Sequence, residues 1–545
     1  MSLKTYNNYK RVLFGFTVKK NLKQALIIGV FSALLICASA IGFVNAFPNL
    51  ADRAVIAATF SSNSGLIALL GTPINLDTVE GFTVWRSIGS LQLIISIWAL
   101  FLSTRLFRGD EEQGRLELIL TGHSSLTNAT RQMFYAVGAI LLPVLAIIIG
   151  ASLITSNLKS FGWSVSSVAF LGIAITLNAV LFVAIGAFIS QISATRAAAL
   201  KIGAAVFGLA FMLRALGDIS GSVSWLSAIS PLGWLERLHP LVATNSIWLI
   251  PILITSIFCI IASLIIAQKR DYGASLIPDN DTAKPKYRWL SGRGNGLLYR
   301  LHFKNAMLWI IGLFVINYMF GTFLKSATQA LSESSSMQNS FNQISSGSQA
   351  SDPTYLFVSV IFLQMTLLLL IMVAGQANNF RDEEARGYMD NLLVRQASRL
   401  GLSFTKSGLI IGSSILTIAA IVIGMYLGAK SQGVILDVSD IALAGVNLLA
   451  VPVLLVGIAF LVFGFVPRLM SVILYTVIGW SFVIEIVGSV LNLNHFILDT
   501  SILHHIPLAP AVAINWQVFG VYITLGLSLL AIGIWRFTKR DIELF

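Results

Sequence analysis

Long apolar runs constrain this chain more than any other feature of its sequence. They recur along all 545 residues, and each is long enough for an α-helix to cross about 30 Å of hydrocarbon. Because no water reaches the backbone inside a bilayer, such runs must be helices. The predicted spans, about twelve, fall near 25–47, 86–106, 132–155, 166–190, 197–216, 246–267, 305–325, 355–378, 406–428, 440–466, 469–491 and 514–536.

Composition supports a membrane location. Hydrophobic residues make up 56% of the chain and charged residues only 11%, which is more apolar surface than a water-soluble core could bury. The net charge of +12 is spread over short loops, so it does not predict a nucleic-acid partner. Cys37 and Cys259 lie within apolar runs and are interpreted as small core residues. We predict an all-α polytopic membrane protein surrounded by lipid.

The distribution of basic residues predicts the orientation. With the N-terminus inside, most of the 36 Lys and Arg residues lie on the inner side, as membrane insertion favours. Both termini are therefore predicted to be cytoplasmic. The exceptions are Arg53, Arg86, Lys159, Arg214, Arg237, Lys325 and Lys430.

An internal repeat covers almost the whole sequence. The chain reads FRGDEEQG at 107–114, after the second span, and FRDEEARG at 380–387, after the eighth. The offset is 273 residues (380 − 107), and an acid follows each copy, Glu117 in the first and Asp390 in the second. We call these stretches, 107–120 and 380–393, the repeated segments. Repetition at a constant offset indicates a duplicated structural unit.

Each half also ends alike. Lys-Arg-Asp occurs at 269–271 and again at 539–541. We predict two tandem six-helix halves, 1–270 and 297–545, joined by a cytoplasmic linker at 271–296. Because each half has an even number of spans, the two share one orientation and are related by a pseudo-two-fold axis along the membrane normal.

Charge and periodicity suggest a role for the repeated segments. Acids at the start of a short helix are favoured by its dipole, and Leu116, Ile119 and Leu120 follow at helical spacing. Each segment is therefore predicted to be an amphipathic helix at the membrane surface, suited to docking a second protein. The alternative is a helix that only stabilises its loop. Basic, aromatic stretches before spans 1 and 7 predict two further interfacial helices.

Catalytic and metal-binding motifs are missing from the sequence. No G-x-x-x-x-G-K-[ST] loop occurs, and the longest polar stretch, 268–304, is too short for a nucleotide-binding domain. The histidines are scattered, and only His504 and His505 are adjacent. We therefore expect no enzymatic activity, no cofactor and no metal in this chain.

These features resemble the permease subunit of type-two ABC exporters, and within that group the double-length permeases described as exporters of polyketide antibiotics. The resemblance is carried by six spans per half, the acidic segment after each second span, and Ser-Pro-Leu-Gly-Trp at 230–234. It implies that each repeated segment is a coupling helix that inserts into a cytoplasmic ATPase. Two ATPase copies, which bind ATP and Mg²⁺, would serve one chain in a bacterial cell membrane.

Position-matching to the family assigns the coupling residues. The second copy departs from the first at Asp382, Ala385 and Arg386, so unequal docking of the two segments is expected. The assigned residues are Arg108, Asp110, Glu111, Gly114 and Glu117 in the first copy, and Arg381, Glu383, Glu384, Gly387 and Asp390 in the second.

Two ionisable residues occupy equivalent positions late in spans 5 and 11, Arg214 and Glu485. They predict an outer gate formed by an ion pair across a central pathway. The alternative is that Arg214 snorkels or pairs with Asp218 one turn on, while Glu485 is bonded locally. Proline-bearing stretches at 230–240 and 506–510 predict short elements at the outer mouth.

Few charges lie in the spans, which favours a hydrophobic or amphiphilic drug-like cargo, with antibiotics implied by the resemblance. The main alternative is a twelve-helix drug efflux transporter driven by an ion gradient. It predicts a basic loop after span 2 and several carboxylates in the spans. A membrane-embedded enzyme or assembly factor would require clustered polar catalytic residues at one membrane face.

Overall fold

The computed structural model describes residues 3–61, 64–120, 125–219, 223–276, 294–333, 352–385, 387–389, 398–491 and 495–541. Within these ranges every regular element is a helix. The chain divides into two compact units, Met1–Ala283 and Lys284–Phe545. Most of the predicted linker 271–296 lies outside the described residues.

The helices of the first unit, within its described residues, are numbered α1 to α11 along the chain. The second spanning helix, α4 (Val79–Thr104), continues through a π-helical turn, Arg105–Gly109, and an α-helical turn, Asp110–Glu112. The helices are α1 (Leu3–Ala46), α2 (Leu50–Ser61), α3 (Ser64–Leu70), α4 (Val79–Thr104), α5 (Arg115–Leu120), α6 (Leu126–Leu158), α7 (Val165–Ile192), α8 (Arg196–Ile219), α9 (Trp225–Ile229), α10 (Pro231–Glu236) and α11 (Leu249–Lys269).

The second unit follows the same order of spans. Its fourth span is divided between two consecutive helices, α15 (Val438–Leu448) and α16 (Ala450–Phe465). The helices are α12 (Gly294–Glu333), α13 (Pro353–Ala385), α14 (Arg399–Ser431), α15 (Val438–Leu448), α16 (Ala450–Phe465), α17 (Met470–Leu491), α18 (His495–Leu498) and α19 (Trp516–Lys539).

Among the described residues, 11 helices are long and apolar enough to cross a membrane. A further helix, α17, coincides with the predicted span 469–491, although the side chains of 485–491 are outside the described set. The prediction of an all-α polytopic membrane protein is confirmed.

The core of each unit is built around its second and fourth spans. In the first unit α4 and α7 are the most buried spanning helices, and in the second unit α13 and the α15–α16 pair are. Phe182 and Phe362 show the pattern, since both are almost fully enclosed. The remaining spans expose more apolar surface, which lipid can cover.

Side-chain caps begin several spans. Ser125, Ser164 and Ser398 each accept a hydrogen bond from the backbone N–H three residues later, at 3.3, 3.1 and 3.0 Å. Such a cap satisfies one of the amide groups that a helix leaves unpaired at its start. Asp437 caps α15 by accepting from the hydroxyl and from the amide N–H of Ser439, and these two hydrogen bonds lower the pKa of the Asp437 carboxyl.

The helices before spans 1 and 7 are not separate elements. Helix α1 runs without a break for 44 residues, and α12 for 40. The sequence explains this, because residues 18–25 contain no Gly or Pro and are rich in helix-forming Lys, Leu and Gln. Each predicted interfacial stretch therefore continues directly into its span.

Candidate functional site

The first repeated segment forms a helix end, a turn and a new helix. Gly114 has a φ of +69°, and its N–H donates to the Glu111 carbonyl at 3.0 Å. A left-handed glycine at this position is a common way to end a helix. Phe107 anchors the preceding turn in the core, with its ring 4.7 Å from that of Phe134. Helix α5 starts at the next residue, Arg115.

Glu111, the central predicted coupling acid, is buried in a network of hydrogen bonds. Only 4% of its surface is exposed. Both of its oxygens accept from Arg270, at 2.8 and 2.6 Å, and the Gly273 N–H donates to Oε1 at 2.8 Å. Arg108 lies 3.2 Å from Oε2. Glu111 therefore joins the end of α4 to the chain that follows α11.

Arg108 extends this network to a third helix end. Its Nε donates to the Ala194 carbonyl at 2.8 Å, just after α7 ends. Its Nη atoms donate to the carbonyls of Ala274 and Gly273 at 3.1 and 3.2 Å. One buried guanidinium thus holds together the ends of the second, fourth and sixth spans.

The neighbouring acids make contacts of their own. Asp110 accepts two hydrogen bonds from Lys20, at 2.7 and 3.0 Å, and lies 3.6 Å from Arg115. Glu112 accepts from the backbone N–H of Arg196 at 2.9 Å and so caps the start of α8. All the acids of the turn therefore stabilise the unit itself.

A smaller set of side chains is available to another protein. Glu112, Gln113, Arg115 and Glu117 are exposed, whereas Arg108, Asp110 and Glu111 are buried. Of the residues that the sequence assigned to coupling in this copy, Glu117 is the acid accessible from outside. Beside it lies a cavity of about 740 Å³ whose polar lining includes Arg131 and Tyr272.

In the described part of the second repeated segment, 380–385 and 387–389, the helix ends in the same kind of turn. Gly387 has a φ of +71°, and its N–H donates to the Glu384 carbonyl at 2.9 Å. The Glu384 side chain is fully buried and accepts from Arg540 at 2.6 Å. Phe380 packs 4.7 Å from Phe463. Asp390, the predicted counterpart of Glu117, lies outside the described residues.

The two copies differ around this shared ion pair. Glu383 pairs with Lys406 at 2.7 and 2.6 Å, so its cation comes from the third span of its unit, while Asp110 takes Lys20 from the first. Arg381 lies near Asp382, at 3.6 Å. The Arg540 guanidinium lies over the rings of Phe463 and Phe537, at 5.0 and 5.2 Å.

Arg270 and Arg540 are the residues that sequence reasoning missed. Both belong to the Lys-Arg-Asp ends, which were interpreted only as a sign of duplication. Two repeated motifs of opposite charge were a usable signal, since a buried carboxylate requires a cation. In each half, however, the repeated segment and the Lys-Arg-Asp end are far apart along the chain. This separation concealed that Glu111 contacts Arg270 and that Glu384 contacts Arg540.

Arg214 lies in a second charged cluster, near the other end of the first unit's spans. It is fully buried, and its Nη2 donates to the carbonyls of Ala68 and Leu69 at 2.5 and 2.9 Å. Its other neighbours are Asp218 at 3.8 Å and Glu236 at 3.7 Å. Pairing of Arg214 with Asp218 is predicted from the sequence as an alternative to the outer gate with Glu485, and this contact is present. The side chain of Glu485 is outside the described residues, so the pair between Arg214 and Glu485 stays a prediction.

Glu236 ends α10, the short helix that begins at Pro231 in the predicted outer stretch 230–240. Its carboxylate accepts from the Thr72 N–H. Burial, and then the nearby charge of Asp218, raise the pKa of Glu236 to about 8, and Arg214 offsets this only in part. A buried acid with this pKa holds a proton at neutral pH. His239 follows, and burial and Arg237 lower its pKa.

The described residues contain no group of three or more His, Cys, Asp and Glu side chains that could hold a metal ion. The rings of His504 and His505 are 5.9 Å apart and tilted edge to face. The charged clusters around Glu111 and around Arg214 are built from ion pairs and from hydrogen bonds at helix ends.

A comparison with protein families and a comparison with single proteins both match a multidrug efflux system permease. Residues 292–538 match the family described as "Multidrug efflux system permease Rv1217c, C-terminal domain". The chain is also 25% identical, over 515 residues, to the multidrug efflux system permease protein Rv1217c of Mycobacterium tuberculosis, covering 91% of this chain and 88% of that protein. Along most of its length, the chain is similar to a drug efflux permease. The matched C-terminal region includes the second repeated segment and ends just before Arg540.

Proposed function

We propose that this chain is the permease of an ATP-driven ABC exporter that moves hydrophobic or amphiphilic compounds out of the cell. The observation that carries the proposal is the paired repeated segments. In each unit a turn after the second span is held rigidly by a buried carboxylate, and in the first unit an exposed charged face projects beyond it. Similarity to a multidrug efflux permease supports transport of drug-like cargo.

The proposal requires a separate ATPase. No phosphate-binding loop occurs in the chain, so ATP and Mg²⁺ would be bound by a partner subunit. Two repeated segments in one chain suit two copies of that partner, one on each segment. Among the side chains of the first segment that the structure describes, the exposed ones are Glu112, Gln113, Arg115 and Glu117, and we assign the ATPase contact to them.

The buried residues then have a different role from the exposed ones. Glu111 and Glu384 face the interior of their own units, so they position the segment and do not touch the partner. Closure of the ATPase subunits on ATP would push on the segment, and the attached spans would move with it. This movement would change access to the cargo pathway from inward to outward.

The apolar spans support an amphiphilic cargo, and the distribution of basic residues supports the location. With few charges in the membrane, the pathway suits amphiphilic antibiotics, including polyketides, more than ions or sugars. We propose a bacterial cell membrane as the location, with the repeated segments and both termini in the cytoplasm, and the bias of Lys and Arg supports this orientation. The ATPase would therefore dock from the cytoplasmic side.

Co-purification with an ATPase subunit tests the proposal. The wild-type chain, purified from the cells that make it, is expected to retain a nucleotide-binding subunit, and Glu117→Arg to weaken that association because it reverses an exposed charge at the contact. Asp77→Arg is the matched control, since Asp77 is an exposed acid before the opposite end of α4. Equal loss of binding in both variants would contradict docking at this segment.

One observation favours the ion-gradient alternative. The proton held by Glu236 beside Asp218 is a feature that a proton-coupled transporter could use. Reconstitution of the purified chain alone in vesicles, with ethidium as the cargo, separates the two. Ethidium movement driven by a pH gradient without any ATPase would overturn the ABC proposal.

A further inference from the structure

The two repeated motifs of the sequence meet in both units. In the first, Glu111 of the repeated segment contacts Arg270 of the Lys-Arg-Asp end at 2.6 Å. In the second, Glu384 contacts Arg540 at the same distance. Four equivalent residues, far apart in the chain, thus form the same buried ion pair twice. We call these two pairs the clasps.

Each clasp joins two spanning helices at one end. Glu111 and Glu384 lie at the ends of the second spans, and Arg270 and Arg540 follow directly on the last residues of α11 and α19. The carboxylates are almost completely buried, so water does not screen the attraction. A charge-assisted, bidentate contact such as that between Glu111 and Arg270 also fixes the relative orientation of the two groups.

The first clasp is reinforced by the backbone after α11. The Gly273 N–H donates to Glu111 Oε1, and the Tyr272 hydroxyl donates to the Glu111 carbonyl at 2.9 Å. Arg270 in addition donates through Nε to Gln191 at 2.8 Å. The end of α11 therefore cannot shift away from the turn without breaking several hydrogen bonds at once.

We propose that Arg270 and Arg540 are positioning residues that fasten each repeated segment to the end of its unit's sixth span. A push on the segment then displaces the second and sixth spans together. This inference rests on the proposed function, because it is the docked ATPase that supplies the push.

The clasps are unequal. If Arg270 is removed, Glu111 keeps Arg108 at 3.2 Å and the Gly273 N–H. If Arg540 is removed, Glu384 keeps no cation within 4 Å among the residues that the structure describes. Loss of the second clasp is therefore expected to impair transmission more than loss of the first.

Labelling at the far end of the sixth spans tests this transmission. Ile247 and Trp516 lie at the opposite ends of these spans from the clasps, and both are exposed. We would place a single cysteine at Ile247 or at Trp516, in a chain carrying Cys37→Ser and Cys259→Ser, and co-purify it with its ATPase. The rate of maleimide labelling is then compared with and without ATP and vanadate.

The expected result is a nucleotide-dependent change in labelling rate that follows the clasp. The change at Trp516→Cys should be lost in Glu384→Arg and in Arg540→Glu, and should return when both reversals are combined, because Glu384 has no second cation within 4 Å among the described residues. Arg540→Lys and Arg270→Lys are milder changes. Arg540→Lys should reduce the nucleotide-dependent change in labelling rate at Trp516→Cys. This reduction should be larger than the one that Arg270→Lys causes at Ile247→Cys. Arg105→Gln is the matched control, because Arg105 bonds Asn21 and Gln24 near the same helix end and belongs to neither clasp.

The outcomes separate the two proposals. If no ATPase co-purifies with the wild-type chain, the proposed function fails. If the ATPase stays bound but the single reversals still respond to nucleotide, or the double reversal does not recover, the clasps do not transmit movement. A merely structural ion pair would lower the thermal midpoint of unfolding and leave the nucleotide response intact in the Lys variants.

Discussion

Gly114 and Gly387 have the same backbone conformation, with φ values of +69° and +71°, although 273 residues (387 − 114) separate them. Each donates its N–H to the carbonyl of the clasp glutamate, Glu111 or Glu384. The glycine shared by the two repeated segments is therefore required by the turn that ends each helix.

Replacing Gly114 should destabilise this turn through backbone strain alone. A Cβ at Gly114 would meet no atom within 4 Å, so crowding does not contribute. The left-handed conformation itself costs an alanine about 1 kcal/mol. We expect Gly114→Ala to lower the thermal midpoint by a few degrees. Gly138→Ala, in the interior of α6 and equally uncrowded, should not lower it, and an equal drop in both variants would exclude strain as the cause.

Close glycine contacts join the fourth and sixth spans of the second unit. A Cβ on Gly526 would lie 2.7 Å from the Val453 carbonyl oxygen, and one on Gly464 would lie 2.6 Å from the Gly533 carbonyl oxygen. Small residues let helix backbones approach in this way inside a membrane.

Adding a side chain at this contact should force the two helices apart. We expect Gly526→Leu to destabilise the second unit by about 2 kcal/mol, as overpacking typically does. Thermal unfolding in detergent measures the effect. Gly520 lies in the same helix with no atom near its Cβ position, so Gly520→Leu should be tolerated. Equal effects at both positions would contradict close packing as the reason.

The Glu236 carboxyl should make stability depend on pH. Its pKa is raised from 4.5 to about 8, mainly by burial. Between these values the folded protein holds a proton that the unfolded chain has lost, so the free energy of unfolding falls as the pH rises. Below the lower value, and above the upper one, this group adds no further slope.

Thermal unfolding of wild type and Glu236→Gln, measured from about pH 5 to about pH 9, checks this dependence. The wild-type midpoint should fall across the interval, and the Gln variant should show a shallower slope because it has no proton to release. Asp77→Asn, at an exposed acid, should leave the wild-type slope unchanged. A Glu236→Gln slope identical to wild type would show that another group is responsible.

Arg214 should be essential to the first unit whether or not it contacts Glu485. Its guanidinium is held by two carbonyls, and the carboxyl groups of Asp218 and Glu236 lie 3.8 and 3.7 Å from it. Arg214→Glu would place three acids together in a buried site, at a cost of about 3 kcal/mol or more.

The structure therefore predicts that Glu485→Arg does not rescue Arg214→Glu. Ethidium export by cells that produce each variant, normalised to the amount of protein in the membrane, measures the effect. Recovery of export in the double variant would instead establish the predicted outer gate between Arg214 and Glu485.

Sequence by itself determined the membrane class, the position of the spans and the duplication, because hydrophobic length and repeated motifs are local properties of a chain. It also located the repeated segments and their glycines. The tertiary structure decided which side chains of those segments face outward. Glu111 and Glu384 look like surface acids in the sequence, yet each is buried against Arg270 or Arg540. Burial and ion pairing depend on how distant helix ends are brought together by packing. No local pattern records that arrangement.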